Sequence, residues 1–282
     1  MDDLHSLNEA INKRAGRKLL PSILVSICLL ALVFGSVILA PALFGVLLWV
    51  AIILASHELV HAYGDGGIDL PERAIQIAAT GILIAAWYGR VSGLAVAMSI
   101  AVPNLLVYIM IKSPKDFVRR STSAAFALFY LPFLGGFILL LAHSSNAPAR
   151  ILALVILVSC NDTFGYFAGV LFGKHPLAPQ VSPKKTWEGL AGSIVATTIG
   201  SSLVLRYALH HALWLGALIG VMAVITSTAG DLIESAVKRD LSIKDMGAIL
   251  PGHGGILDRI DSVLFTGPAI WFALEFIKHF SL

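Results

Sequence analysis

The chain has 282 residues, of which 57% are hydrophobic and only 13% charged, against roughly a quarter charged in ordinary soluble domains. The formal net charge of +3 is small and says little about nucleic acid, because the basic residues are dispersed among membrane ends, and no nucleic-acid partner is expected. Mean hydropathy is +0.84, and the apolar runs approach the ~20 residues of a bilayer crossing. Buried strands of a soluble α/β domain would be roughly 4–8 residues long.

Taken in order, residues 1–18 (MDDLHSLNEAINKRAGRK) carry no cleavable signal pattern. They read either as a short amphipathic surface helix, with Leu4, Leu7 and Ile11 on one side, or as a frayed terminus. Apolar runs then predict nine spans, at about 21–40, 42–62, 72–88, 91–111, 121–142, 149–172, 188–207, 211–234 and 257–277. Turn chemistry separates them, as at Ala40-Pro41, Gly64-Asp65-Gly66-Gly67, Gly89-Arg90, Ser113-Pro114 and Asn146-Ala147-Pro148. With the N-terminus in the cytoplasm, all of the 20 basic residues except Arg90, Arg150, Arg206 and Lys278 fall on inner segments. The positive-inside rule favours that orientation. The expectation is an all-α polytopic membrane protein of the cytoplasmic membrane, with a 1–20 cytoplasmic segment and one 21–282 transmembrane domain. Within that domain, 21–150 is the hydrophobic half and 151–282 the half into which polar residues enter. Cys28 and Cys160 lie inside apolar runs and suggest neither a disulfide framework nor a zinc knuckle.

Charge concentrates in 230–262, GDLIESAVKRDLSIKDMGAILPGHGGILDRIDS. On a helix continuing inward, Asp231, Glu234, Ser235 and Lys238 share one face, and so do Asp258, Asp261 and Ser262 at the start of the next helix. Two carboxylates from facing helix ends, without cysteine, suit a hard cation such as Mg²⁺ better than zinc. Lys238, Arg239, Lys244 and Arg259 suit the phosphates that complete such a shell. The Pro251-Gly252-His253-Gly254-Gly255 turn allows close backbone approach to an anion, and His253 either donates to a phosphate or shapes the turn.

Two upstream stretches join this one. Ser182-Pro183-Lys184-Lys185-Thr186 reads as a helix start, with Ser182 as N-cap and the lysines in an anion-attracting first turn. Asn161-Asp162 lies inside a span, where a carboxylate implies function and an asparagine can also bolt helices together. A competing motif is His57-Glu58-Leu59-Val60-His61, the H-E-x-x-H pattern of zinc proteases. An intramembrane zinc metalloprotease is therefore one alternative, and a membrane transporter or lipid-binding scaffold with charged gates is another.

The 235–262 stretch, read as S-x-x-K-R-D, K-D-x-G and P-G-H-G-G-x-x-D-R-x-D, resembles the signature of the phosphatidate cytidylyltransferase (CDP-diacylglycerol synthase) family. NDTFGYFAGVLFGK and SPKKTWEG resemble upstream motifs of that family, with Gly165 where alanine is expected. The resemblance covers about 155–265. It implies transfer of CMP from CTP to phosphatidic acid, giving CDP-diacylglycerol and pyrophosphate, with Mg²⁺ required. It further implies Asp231 and Asp258 as metal ligands, room for a second cation, a cytoplasmic-side cavity and a homodimer. Lys184, Lys185, Lys238, Arg239, Lys244 and Arg259 are then expected to neutralise phosphates. Asn161, Asp162, Ser182 and Thr186 are expected to position the nucleotide or metal.

Overall fold

The computed structural model describes residues 19–112, 114–144, 146–249 and 254–280, with side chains from residue 27 onward. The predicted N-terminal surface helix lies outside the described residues. Helix α1 (Leu19–Leu39) is followed after Ala40 by α2 (Pro41–Asp65), whose Pro41 at the first position needs no hydrogen-bond donor. Helix α3 (Glu72–Lys112) has 41 residues, about 60 Å of rise and twice a bilayer core. It is accordingly not one rod. Arg90 breaks it (φ 55°, ψ −142°), and both resulting arms line a shared cavity, so α3 folds back as a hairpin.

Next come α4 (Phe117–Leu128), a π-helical turn (Phe129–Phe133) and α5 (Leu134–Ala142), forming one continuous element. The π turn surrounds Pro132, which lacks the N–H an α-helical ladder would use. Helix α6 (Ala147–Phe172) leads into a hairpin of β1 (Pro176–Ala178) and β2 (Ser182–Thr186), paired antiparallel. Helices α7 (Trp187–Tyr207), α8 (Leu213–Asp240) and α9 (Leu257–Phe280) complete the chain.

Among the described residues, seven helical segments are long and apolar enough to cross a membrane, and the α1 stretch Ile27–Leu39 is a shorter apolar helix. Ile52, Ile75, Ile82, Leu128, Tyr130, Leu131 and Leu141 are fully buried in the core. Ile77, Ile84, Ile100, Val195 and Ile225 point outward, as lipid-facing positions of a helical bundle do.

Two expectations change. Ser182 does not start a helix: 182–186 is a strand, and Thr186 is the N-cap of α7, accepting the Gly189 N–H at 3.1 Å. The pairing of Ser182 with Ala178 absorbs the Ser-Pro signal into a hairpin. The loop after the acidic face also shortens, because α8 continues to Asp240.

Contacts between ends fix which loops gather. The α2–α3 turn meets α4 through Arg119 to the Gly66 carbonyl and Arg120 to Asp69, each at 3.1 Å. Arg239 at the end of α8 reaches the Val181 carbonyl of the β-hairpin at 3.2 Å. At the opposite end Arg90 reaches the His143 carbonyl at 3.3 Å, and Asn146 the Ala208 carbonyl at 3.4 Å. The charged loops therefore share one end of the bundle.

Candidate active site

The site is built where α8 ends and α9 begins. Asp258 lies in the first turn of α9, where exposed N–H groups favour a carboxylate. Its Oδ2 accepts the backbone N–H of Gly255 at 2.8 Å and of Met246 at 3.0 Å, while Oδ1 accepts from Lys238 Nζ at 2.9 Å. Lys238 also pairs with Glu234, one turn earlier on α8. The i, i+4 spacing read from the sequence thus places an ammonium between carboxylates of two helices.

Asp231 lies two turns before Lys238. It pairs with Lys185 from β2, and its Oδ1 accepts from Ser235 Oγ at 3.2 Å. The hairpin is in turn held by Glu188, whose Oε2 accepts the Lys174 and His175 N–H groups at 3.1 and 3.2 Å. Gly230 lets α8 approach α9 closely, since a Cβ there would stand 2.8 Å from the Asp261 carbonyl.

Asn161 is buried and serves as a bolt between helices. Its Nδ2 donates to Ser227 Oγ and to Asp162 Oδ1, both at 3.0 Å, and its carbonyl accepts from Ser193 Oγ at 2.6 Å. Alanine in place of Gly165 would put its Cβ 2.4 Å from that same Ser193 Oγ, which accounts for glycine here. Asp162 is accessible and opens into a cavity of about 340 Å³ between α1, α2, α6 and α9. That cavity is walled by Leu30, Leu47, Val155 and Val263, with Asp162 and Arg259 as its charged lining.

The other expected residues are spread around this centre. Lys184 is exposed on β2, Lys244 is exposed in the 241–249 loop, and Arg239 is spent partly on the hairpin carbonyl. His253, with Pro251 and Gly252, lies outside the described residues. Three participants were absent from the expected set: Glu58, Glu234 and Asp261. The last two were visible as i+3 neighbours of Asp231 and Asp258.

Oxygen chemistry makes the site suited to a hard cation. The carboxylates of Asp162, Asp231 and Asp261 lie within electrostatic reach of one another. Glu234 Oε1 is buried with no hydrogen-bond partner among the described residues. A divalent ion would relieve both the repulsion and the orphaned acceptor. Asp231 and Asp258 each engage a lysine, so cation entry would require exchange of ammonium contacts.

The protease reading fails on Glu58. Its side chain is buried, and its two oxygens accept the N–H groups of Ile256 and Leu257, each at 2.9 Å. A carboxylate saturated by a helix N-terminus 198 residues away is a cap and is not placed to activate water.

The chain matches the cytidylyltransferase family over residues 21–277 and belongs to that family. Within it, the similar proteins are phosphatidate cytidylyltransferases. The one from Mycobacterium leprae is 34% identical over 280 residues, covering 94% of this chain and 90% of its own. That of Mycobacterium bovis is 33% identical over 277 residues, covering 94% and 90%. The Staphylococcus saprophyticus protein is 40% identical over 149 residues, 52% of this chain and 57% of its own. These relatives support neither the protease nor the transporter.

Proposed function

We propose that this protein is a phosphatidate cytidylyltransferase: it transfers CMP from CTP to phosphatidic acid, yielding CDP-diacylglycerol and pyrophosphate. Besides the family, the observation that carries the reading is the junction of two environments. An apolar cavity open to acyl chains ends at Asp162 and Arg259, beside the carboxylate and lysine cluster of α8 and α9.

Phosphatidate's phosphomonoester has a second pKa of about 6, so it is largely dianionic at neutral pH and already nucleophilic. No strong general base is needed. The lipid phosphate oxygen attacks the α-phosphorus, the α–β bridging bond breaks, and pyrophosphate leaves with the electron pair. Lys185 and Lys238 are placed to exchange their carboxylate partners for phosphate oxygens, with Arg239, Lys244, Arg259 and Lys184 around them. Asp231 and Asp258 would hold Mg²⁺, which when bound supplies Lewis-acid neutralisation of the phosphates. Asp162 and Asp261 are available to a second cation. Asn161 positions Asp162, and Thr186 fixes the start of α7 beneath the hairpin.

The same reading includes nine crossings, counting α1, both arms of α3 and the α4–α5 element, with the N-terminus and the charged loops in the cytoplasm. It also includes a homodimer in the cell membrane. The excess of lysine and arginine at the charged end supports the orientation. The test is pyrophosphate release by purified protein given CTP and phosphatidate, with Mg²⁺ withheld and restored. Release only with all three supports the reading. No CTP consumption by folded protein under these conditions overturns it.

A further inference from the structure

His57 and His61 occupy successive turns on the exposed side of α2, at the end of the bundle that carries the charged loops. Their rings lie 4.0 Å apart, centroid to centroid. His61 Nδ1 is 2.9 Å from the His57 carbonyl, which can only accept, so this nitrogen carries the proton and Nε2 presents a lone pair. His57 Nδ1 lies 2.8 Å from Oε1 of Glu72, in the first turn of α3. Gln76 Nε2 donates to that same oxygen at 2.9 Å and fixes the carboxylate. One donor atom from each of His57, His61 and Glu72 falls within 4.8 Å of the others.

We propose that these three residues form a second metal site, separate from the acidic centre, for a late first-row divalent cation such as Zn²⁺. Two imidazoles, borderline donors, favour zinc over Mg²⁺, and zinc also accepts a carboxylate as its third ligand. Ligand distances of about 2.0–2.2 Å are reached by small rotations of the two exposed histidines and the half-buried Glu72. His57 coordinates through Nδ1 with its proton on Nε2, His61 through Nε2, and Glu72 through Oε1, with water completing the shell. Gln76 is the outer partner that orients Glu72. The site has no hydrolytic role, because the intervening Glu58 is committed to capping α9. Its effect is mechanical. The cation staples α2 to α3 across the turn that Arg119 and Arg120 brace, one residue from the carboxylate that holds the Asp258 loop. The proposal is independent of the cytidylyl chemistry.

Tag-free protein in detergent is dialysed against micromolar Zn²⁺ and, separately, Co²⁺. The expected result is one equivalent bound per chain, with Co²⁺ giving visible ligand-field bands of a nitrogen-containing site. Affinity falls at least tenfold in His61→Gln and in Glu72→Gln, while Asp231→Asn binds as the parent does. The thermal midpoint rises with Zn²⁺ in the parent and not in His57→Gln/His61→Gln. Uptake unchanged in that double variant would overturn the proposal, as would no uptake by folded parent protein or loss of the zinc in Asp231→Asn. Metal-free midpoints equal to the parent's show that the variants are folded, and the exposed positions of both histidines favour that outcome.

Discussion

The carboxylate of Glu58 accepts the backbone N–H of Leu257 at 2.9 Å, although 199 residues separate them. Together with the Ile256 contact, this joins α2 to the first turn of α9 and fixes where Asp258 stands. The fit is close: a Cβ on Gly255 would lie 2.6 Å from Glu58 Oε2, and one on Gly247 2.5 Å from Oε1. Glu58→Ala leaves the buried Leu257 N–H and the half-buried Ile256 N–H unpaired, at about 1–3 kcal/mol for the buried one and less for the other. We expect a lower thermal midpoint and a loss of turnover greater than the loss of CTP affinity, measured in parallel on detergent-purified protein. Glu58→Gln keeps one acceptor and should fall between. Full activity and an unchanged midpoint in Glu58→Ala would remove the capping role.

Lys238 is the ammonium shared by Glu234 and Asp258, and its side chain is only 15% exposed. Removing one partner of a buried cluster leaves uncompensated charge, at a cost of about 3–5 kcal/mol. Lys238→Met should therefore be both less stable and inactive, whereas Lys238→Arg should refold the cluster imperfectly and keep the protein folded. For Lys238→Arg the expected loss in kcat is about 10²–10³, the range for losing one preorganised electrostatic contact. Steady-state pyrophosphate release checks this, and wild-type kcat in the arginine variant would show that Lys238 has no role specific to lysine.

The bundle and its charged end were legible because their signals are local. Run length located the long apolar helices, and the Gly89-Arg90 break divided α3 where the chain turns. The i, i+3, i+4 and i+7 spacing put Asp231, Glu234, Ser235 and Lys238 on one face. What the sequence hid was long-range. Glu58 looked like half of a zinc motif because its true partners are backbone groups of α9, which no side-chain pattern announces. Ser182-Pro183 looked like a helix start because capping and strand entry use the same residues, and only pairing with 176–178 decides between them. Asn161 read as a nucleotide contact or a bolt, and the hydroxyls of Ser193 and Ser227 supply the bolt.

Chelation tests the acidic centre as a whole. Protein treated with a strong chelator should lose activity fully and regain it on adding Mg²⁺. In Asp231→Asn one carboxylate charge of the proposed metal site is lost and Lys185 loses its ion-pair partner. The Mg²⁺ concentration for half-maximal activity should rise at least tenfold, and excess Mg²⁺ should restore part of the rate. An unchanged Mg²⁺ dependence in Asp231→Asn would place the ion elsewhere among the carboxylates.

The cavity between α1, α2, α6 and α9 gives the last prediction. Leu30 and Val155 line it without being fully enclosed, so tryptophan at either position should fold while filling space an acyl chain would use. Each buried methylene contributes about 0.8 kcal/mol, so displacing two or three of them costs about 2 kcal/mol. That corresponds to a rise of roughly 30-fold in KM for long-chain phosphatidate, at about 1.4 kcal/mol per tenfold change. KM for CTP should stay unchanged, because Lys185 of β2 and Lys238 of α8, proposed above to meet the nucleotide's phosphates, do not line this cavity. A short-chain soluble phosphatidate should be spared, since it needs less of the cavity. Mixed-micelle kinetics with both lipids separate these effects. An equal loss for short and long chains would mean that the tryptophans disturb α6 or α1 and that the lipid tail lies along another face.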